Sequence, residues 1–235
     1  MLAIYKREMR AYFTSPIGYV FIAVFLAISG FLFSLNTLLA GENSNVALYF
    51  SLLLYILMIV VPLLTMKLFS EERRTKTEQL LLTSPVSLPA MVFAKFSAAY
   101  TMFALTFLVS CLNLFSLYKF GNPNTADLIG NIIAILFVGS AYVAVGTFIS
   151  SLTENQLVAA IGTIAVLALF IAASAFNQYI DFAPVRAVLS WVSVYSRFIN
   201  FTYGVFDFAA TLYYVSICFI FLFLTVRVFE KRRWE

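Results

Sequence analysis

The feature that most constrains this chain is a series of six apolar runs: Ile17 to Leu39, Ala47 to Phe69, Met91 to Tyr118, Leu128 to Ser150, Leu157 to Tyr179 and Asp207 to Phe229. Each reaches the roughly 20 residues that a helix needs to cross a ~30 Å hydrocarbon core. The runs are continuous rather than alternating, which predicts helices and not a membrane barrel. No charged side chain falls in the middle of any run. Lys67, Lys95 and Arg227 lie near run ends, where long side chains are expected to reach the interface. Hydrophobic residues make up 63% of the 235 and charged residues 11%, too apolar a balance for a soluble domain of this length. The expected fold is an all-α integral membrane protein with six transmembrane helices.

Basic residues set the expected orientation. With the N-terminus inside, Lys6, Arg7, Arg10, Lys67, Arg73, Arg74, Lys76, Lys95, Arg227, Lys231, Arg232 and Arg233 are cytoplasmic, and only Lys119, Arg186 and Arg197 are outside. The positive-inside rule therefore puts both termini in the cytoplasm. The outer connections become Ala40 to Val46, Lys119 to Asp127 and Ile180 to Phe206. A net charge of +4 carried beside apolar runs reads as attraction to anionic headgroups rather than to nucleic acid. Lys6, Arg7 and Arg10 precede the first run as they would in a secretory signal, but that run exceeds the ~7–15 residues of a cleavable core and is expected to be retained.

Two segments are neither spans nor simple loops. In Met1 to Phe13, Leu2, Tyr5, Met9 and Tyr12 recur at helical spacing, with Lys6, Arg7 and Arg10 on the other face. This predicts an interfacial helix, an elbow over residues 1–16 that leads into the first span at Pro16. Between Pro184 and Tyr203, Trp191, Tyr195, Phe198, Phe201 and Tyr203 accompany Arg186 and Arg197. That mixture suits an outer interfacial or re-entrant segment over residues 180–206.

Much chemistry is missing from the sequence. The chain has no histidine, which excludes imidazole ligands and imidazole acid–base catalysis. Cys111 and Cys218 lie in separate apolar runs and read as packing residues. Asp127, Asp181 and Asp207 are scattered over connections and span edges, where they read as helix caps; no catalytic or metal-binding set is expected. An apolar interior whose polar groups are mainly Asn36, Asn113, Asn131, Ser and Thr disfavours an ion-coupled carrier. No glycine precedes a lysine, so there is no phosphate loop of the GxxxxGK[ST] kind. Gly139, Gly146 and Gly162 permit close helix approach, either within the chain or at a dimer seam.

The densest charge cluster, Ser70 to Ser87, joins the second and third runs as SEERRTKTEQLLLTSPVS. Glu71 and Glu72 followed by Arg73 and Arg74 allow opposite charges to pair at i,i+3, and Ser84-Pro85 ends the helix. Leu80, Leu81 and Leu82 in succession cannot share one face. The pattern predicts a short surface helix joined by a turn to the third span, with some of these leucines meeting lipid or another protein; a solvated loop is the alternative.

Three stretches resemble ABC-2 type permeases, in particular the gliding-motility F-component type and the nitrous-oxide-reductase maturation permeases. They are FSEERRTKTEQLLLTSPVS from Phe69, YKREMRAYFTSPIGYVFIAVFLAISGFLF from Tyr5 and RFINFTYGVFDFAATLYYVS from Arg197. The resemblance implies an exporting permease half in a bacterial cell membrane that pairs with a second copy or a sister permease.

 

It also implies that two cytoplasmic ABC ATPase subunits, which bind ATP and magnesium, supply the energy; no cofactor is implied in this chain. In such permeases the connection over residues 70–90 is a coupling helix seated in the ATPase, which places Glu71, Glu72, Arg73, Arg74, Thr77, Glu78, Gln79 and Leu80 at the contact. Membrane lipids would surround Lys6, Arg7 and Arg10 of the elbow, and Trp191, Tyr195, Arg197 and Phe198 would form the outer segment, open to an extracytoplasmic accessory protein. The chain departs from the family pattern at Lys76-Thr77, where many relatives have glycine and threonine, and its Gln79 stands nearer than Glu78 to their acidic position. A non-transporting scaffold that passes ATPase motion to an outer partner is the alternative reading, and an intramembrane enzyme the least favoured one.

Overall fold

The computed structural model describes residues 1–38, 46–79, 86–120, 123–176, 193–204 and 206–234, together with 182, 184, 186 and 191. Among these there is no strand. The helices are α1 (Leu2–Thr14), α2 (Pro16–Phe33, extended by a π turn, Ser34–Leu38), α3 (Ala47–Thr65), α4 (Ser70–Arg74) and α5 (Leu88–Ser110). After a 3₁₀ turn, Cys111–Leu114, follow α6 (Phe115–Phe120), α7 (Thr125–Leu152), α8 (Gln156–Phe176), α9 (Val194–Thr202) and α10 (Phe208–Trp234). Six stretches are long and apolar enough to cross a membrane: Pro16–Thr37, Ala47–Arg74, Leu88–Lys119, Thr125–Leu152, Gln156–Phe176 and Phe208–Arg233. The protein is an all-α, six-span membrane protein.

Local chemistry explains the breaks between helices. Ser15 is extended (φ −95°, ψ 150°) because the ring of Pro16 disfavours helical backbone before it, while Pro16 itself fits the first turn of α2. Gly18 then lies directly against the Tyr12 carbonyl, where a β-carbon has no room, so α2 leaves α1 through a tight bend. Asn124 caps α7 by accepting from Ala126 N at 3.1 Å, and Asp207 caps α10 by accepting from Ala209 N at 2.9 Å. Gly204, at φ +69°, turns the chain from α9 towards α10 beside the Asp127 carboxylate.

Helix α7 is the centre of the bundle and packs against α3, α5, α8, α9 and α10. Small residues allow this: Gly139 receives the Phe103 ring of α5, and Gly146 receives the Thr65 side chain of α3. These two glycines therefore serve packing within the chain. Phe25, Phe103 and Phe107 continue the core as edge-to-face and stacked rings, with Phe25 and Phe103 centred 6.5 Å apart. Some interior hydroxyls turn back onto their own helices, as Thr106 does to Met102 O at 2.8 Å and Thr147 to Val143 O at 2.6 Å. That satisfies them without a partner from elsewhere.

Because the spans alternate in direction, two chemically different ends result. One gathers α1, α4, the start of α5, the α7–α8 turn and the basic end of α10. The other gathers α6, the start of α7, and α9 with the start of α10. Helix α9 is amphipathic and buries Val194, Phe198 and Phe201 against α7 and α8, where Tyr214 Oη donates to Val194 O at 3.0 Å.

Candidate functional site

The charged end carries the candidate site. Helix α3 runs on towards α4 with little interruption, so the connection predicted to be a separate surface helix is in its first part an extension of the span. The join is held by Ser150 of α7: its Oγ accepts from Phe69 N at 3.1 Å and Ser70 N at 3.2 Å, and donates to Met66 O at 3.1 Å. The expected i,i+3 pairing inside Glu71–Arg74 does not form. Each of Glu71, Glu72 and Arg73 finds a partner outside the four: Glu71 pairs with Lys67 at 3.7 Å, Glu72 with Arg7 and Lys95, and Arg73 with Glu154 at 3.0 Å. The helix is only five residues long, so partners on neighbouring elements compete successfully with those one turn away.

Lys95 corrects a third expectation. Rather than reaching the interface, it is buried, with 1% of its side chain exposed, and it is the one buried charged side chain among the described residues. Its Nζ contacts Glu8 Oε1 at 3.1 Å and Glu72 Oε1 at 2.9 Å, and donates to Leu68 O at 2.7 Å. The Phe69 ring lies 5.0 Å away. Arg7 Nη2 touches the same two carboxylate oxygens, each at 2.6 Å. Arg7, Glu8, Lys95 and Glu72 thus close a ring of alternating charge that ties α1, α4 and α5 together. Burying an ammonium group costs several kcal/mol, which excellent geometry and several partners can offset. Burial would raise the Glu8 pKa, but Lys95 and Arg7 hold it below its ordinary value. Nearby, Tyr12 Oη donates to Leu64 O at 3.1 Å and Tyr5 Oη to Thr101 Oγ1 at 3.2 Å, fixing α1 to α3 and α5.

The remaining predicted docking residues divide between anchored and outward positions. Lys76 adopts φ +58°, the left-handed conformation that glycine takes readily, at the position where the family pattern has glycine. Thr77 Oγ1 turns back to Glu72 O at 3.3 Å. Glu78 accepts from Arg232 Nη1 at 3.0 Å, and Arg232 Nη2 donates to Ser151 O at 2.6 Å, fastening the end of α10 to this segment. Glu71, Arg74, Thr77 and Gln79 are exposed, as are Lys6 and Arg10 on α1. Leu80, with Leu81 and Leu82, lies outside the described residues.

At the far end Phe198 is fully buried, Tyr195 stacks obliquely on Tyr55 with ring centres 5.9 Å apart, and Trp191 is exposed. Arg197 lies over the Tyr213 ring at 4.4 Å. Among the described residues no three Asp, Glu or Cys side chains are grouped to hold a metal ion. Sequence reasoning missed Glu8 altogether; its only local sign was a carboxylate interrupting the basic face of α1.

A helical, six-span bundle with its ion pairs gathered at one end defines a membrane-domain class. The model of the family described as ABC-2 family transporter protein matches residues 34–229, and the chain belongs to that family. It is the permease subunit of an ABC transporter, whose family membership implies an ABC ATPase partner. No curated protein matches the chain.

Proposed function

We propose that the charged end is cytoplasmic and receives the ATPase, so that ATP binding and hydrolysis in another chain drive export through this one. The observation that carries the reading is the ring Arg7–Glu8–Lys95–Glu72, which fastens the α4 segment to α1 and α5. A push on α4 would reach two further helices without deforming the segment itself. Glu71, Arg74, Thr77 and Gln79 are the outward contacts in this reading, while Glu72, Arg73 and Glu78 hold the segment in place.

In the assembled transporter two such halves, from two copies or from sister permeases, seat two ATPase subunits and rock about their shared interface. The functional division is an elbow over residues 1–16, a coupling segment over 70–90 and an outer segment over 180–206, with both termini cytoplasmic in a bacterial cell membrane. Within the family, the gliding-motility F-component and nitrous-oxide-reductase maturation types are the proposed subtype. The mechanism requires differential contact between α4 and the two states of the ATPase pair.

Charge reversal tests it. The double substitution Glu71→Arg and Arg74→Glu is expected to reduce copurification with the cognate ATPase at least ~10-fold, equivalent to ~1.4 kcal/mol, while the loss of the exposed Lys67–Glu71 pair costs the isolated permease no more than ~1 kcal/mol in thermal unfolding. Undiminished copurification and ATP-driven transport would remove this surface from the mechanism.

A further inference from the structure

At the end opposite the charge ring, one cation faces an apolar groove. A cavity of about 630 Å³ runs between α8 and α10, lined by Phe170, Leu212, Ile217 and Ile220, with Tyr213 and Arg197 at its head. The Arg197 guanidinium lies over the Tyr213 ring at 4.4 Å and 5.7 Å from the Trp191 ring. Its Nε is buried and makes no hydrogen bond. Asp207 attracts Arg197 through its charge, but its oxygens are taken up elsewhere: Oδ2 accepts from Asn200 Nδ2 at 2.7 Å, and Oδ1 from Ala209 N at 2.9 Å and Ala210 N at 3.2 Å. Ser216 is likewise satisfied by Leu212 O at 2.7 Å. The groove therefore presents a guanidinium with an unused buried donor at one end and hydrocarbon along its length.

An unsatisfied buried donor in a native fold calls for an explanation. The dimensions point to one. From Ala209 to Ile220 the lining of α10 rises ~16 Å at 1.5 Å per residue, close to the ~15 Å depth of one leaflet of a ~30 Å core. Arg197 stands at the terminal end of that path, where a lipid phosphate lies, and a guanidinium is suited to phosphate oxygens. We propose that this groove binds an anionic phospholipid of the surrounding leaflet, its phosphate on Arg197 and one acyl chain along α10 beneath Tyr213.

Trp191, beside Arg197, is a built-in reporter. The full-length chain carrying Trp234→Phe is placed in phosphatidylcholine nanodiscs containing a small fraction of brominated phosphatidylglycerol or, separately, the same fraction of brominated phosphatidylcholine. Trp191 fluorescence should be quenched at least ~3-fold more effectively by the anionic probe. Arg197→Gln should bring the two probes to equal effect, and Arg197→Lys should retain most of the preference while both variants keep the helical content of the parent. Equal quenching by both probes in the parent, or a preference that survives Arg197→Gln, overturns the proposal. Exclusion of both probes also overturns it, because the groove would then be covered by a second copy or by cargo. No ATPase takes part, so the result is independent of the proposed coupling.

Discussion

A buried lysine is tolerable only with its partners in place, and Lys95 has two carboxylates, a carbonyl and an aromatic face. Lys95→Met would leave Glu8 and Glu72 facing one another with Arg7 alone between them. Breaking a buried pair from one side typically costs ~3–5 kcal/mol, and thermal unfolding of the detergent-solubilised protein should show a loss of that size. Adding Glu8→Gln and Glu72→Gln to Lys95→Met should recover much of it, since the carboxylates would no longer need the cation. This residue was only half legible in the sequence. Its place near a run end was plain, but its partner Glu8 is 87 positions away, and a helical period carries no information about pairing across that distance. Lys76 is the opposite case: the family pattern marked its position as glycine-like, and the backbone there is left-handed, a conformation that costs a non-glycine residue ~1–2 kcal/mol.

Among elements, α1 was legible in most of its apolar face: Tyr5, Met9 and Tyr12 pack inward, while Leu2 is exposed. Its polar side was read only as a membrane surface, because the basic residues obscured a carboxylate that looks into the protein. Glu8 now supplies a pH test of how firmly α1 is attached. Its pKa is lowered in the folded protein, so its contribution is present above the ordinary glutamate value and is lost as pH falls through the lowered one. The difference in unfolding temperature between the parent and Glu8→Gln should be constant near neutrality and shrink towards zero in acid. A difference that instead grew with acidification would contradict the sign of the charge contacts around Glu8. For α4, the sequence revealed helix and charge but not the partners, which come from α1, α5 and the α7–α8 turn. Short elements are placed by what surrounds them, not by their own period.

At the scale of the molecule, six spans followed from the length and continuity of the apolar runs, because a backbone in hydrocarbon has few other ways to satisfy its hydrogen bonds. Which spans touch was not legible: α7 is central because Gly139 and Gly146 admit Phe103 and Thr65, and small residues alone did not distinguish an internal seam from a dimer contact. The proposed orientation can be tested with single cysteines at Thr77 and Asn124, in a background where Cys111 and Cys218 are alanine. A membrane-impermeant maleimide should label Asn124→Cys in intact spheroplasts and Thr77→Cys only after permeabilisation; labelling from the same side would overturn the arrangement. The ring at the charged end joins two cations to two carboxylates. Its net charge is zero, so shifting it as a unit across a membrane potential does no electrical work, whereas a lone ammonium would feel ~2.3 kcal/mol per 100 mV across the full field. In the proposed coupling, these four residues would therefore add no net gating charge to a stroke delivered through this junction.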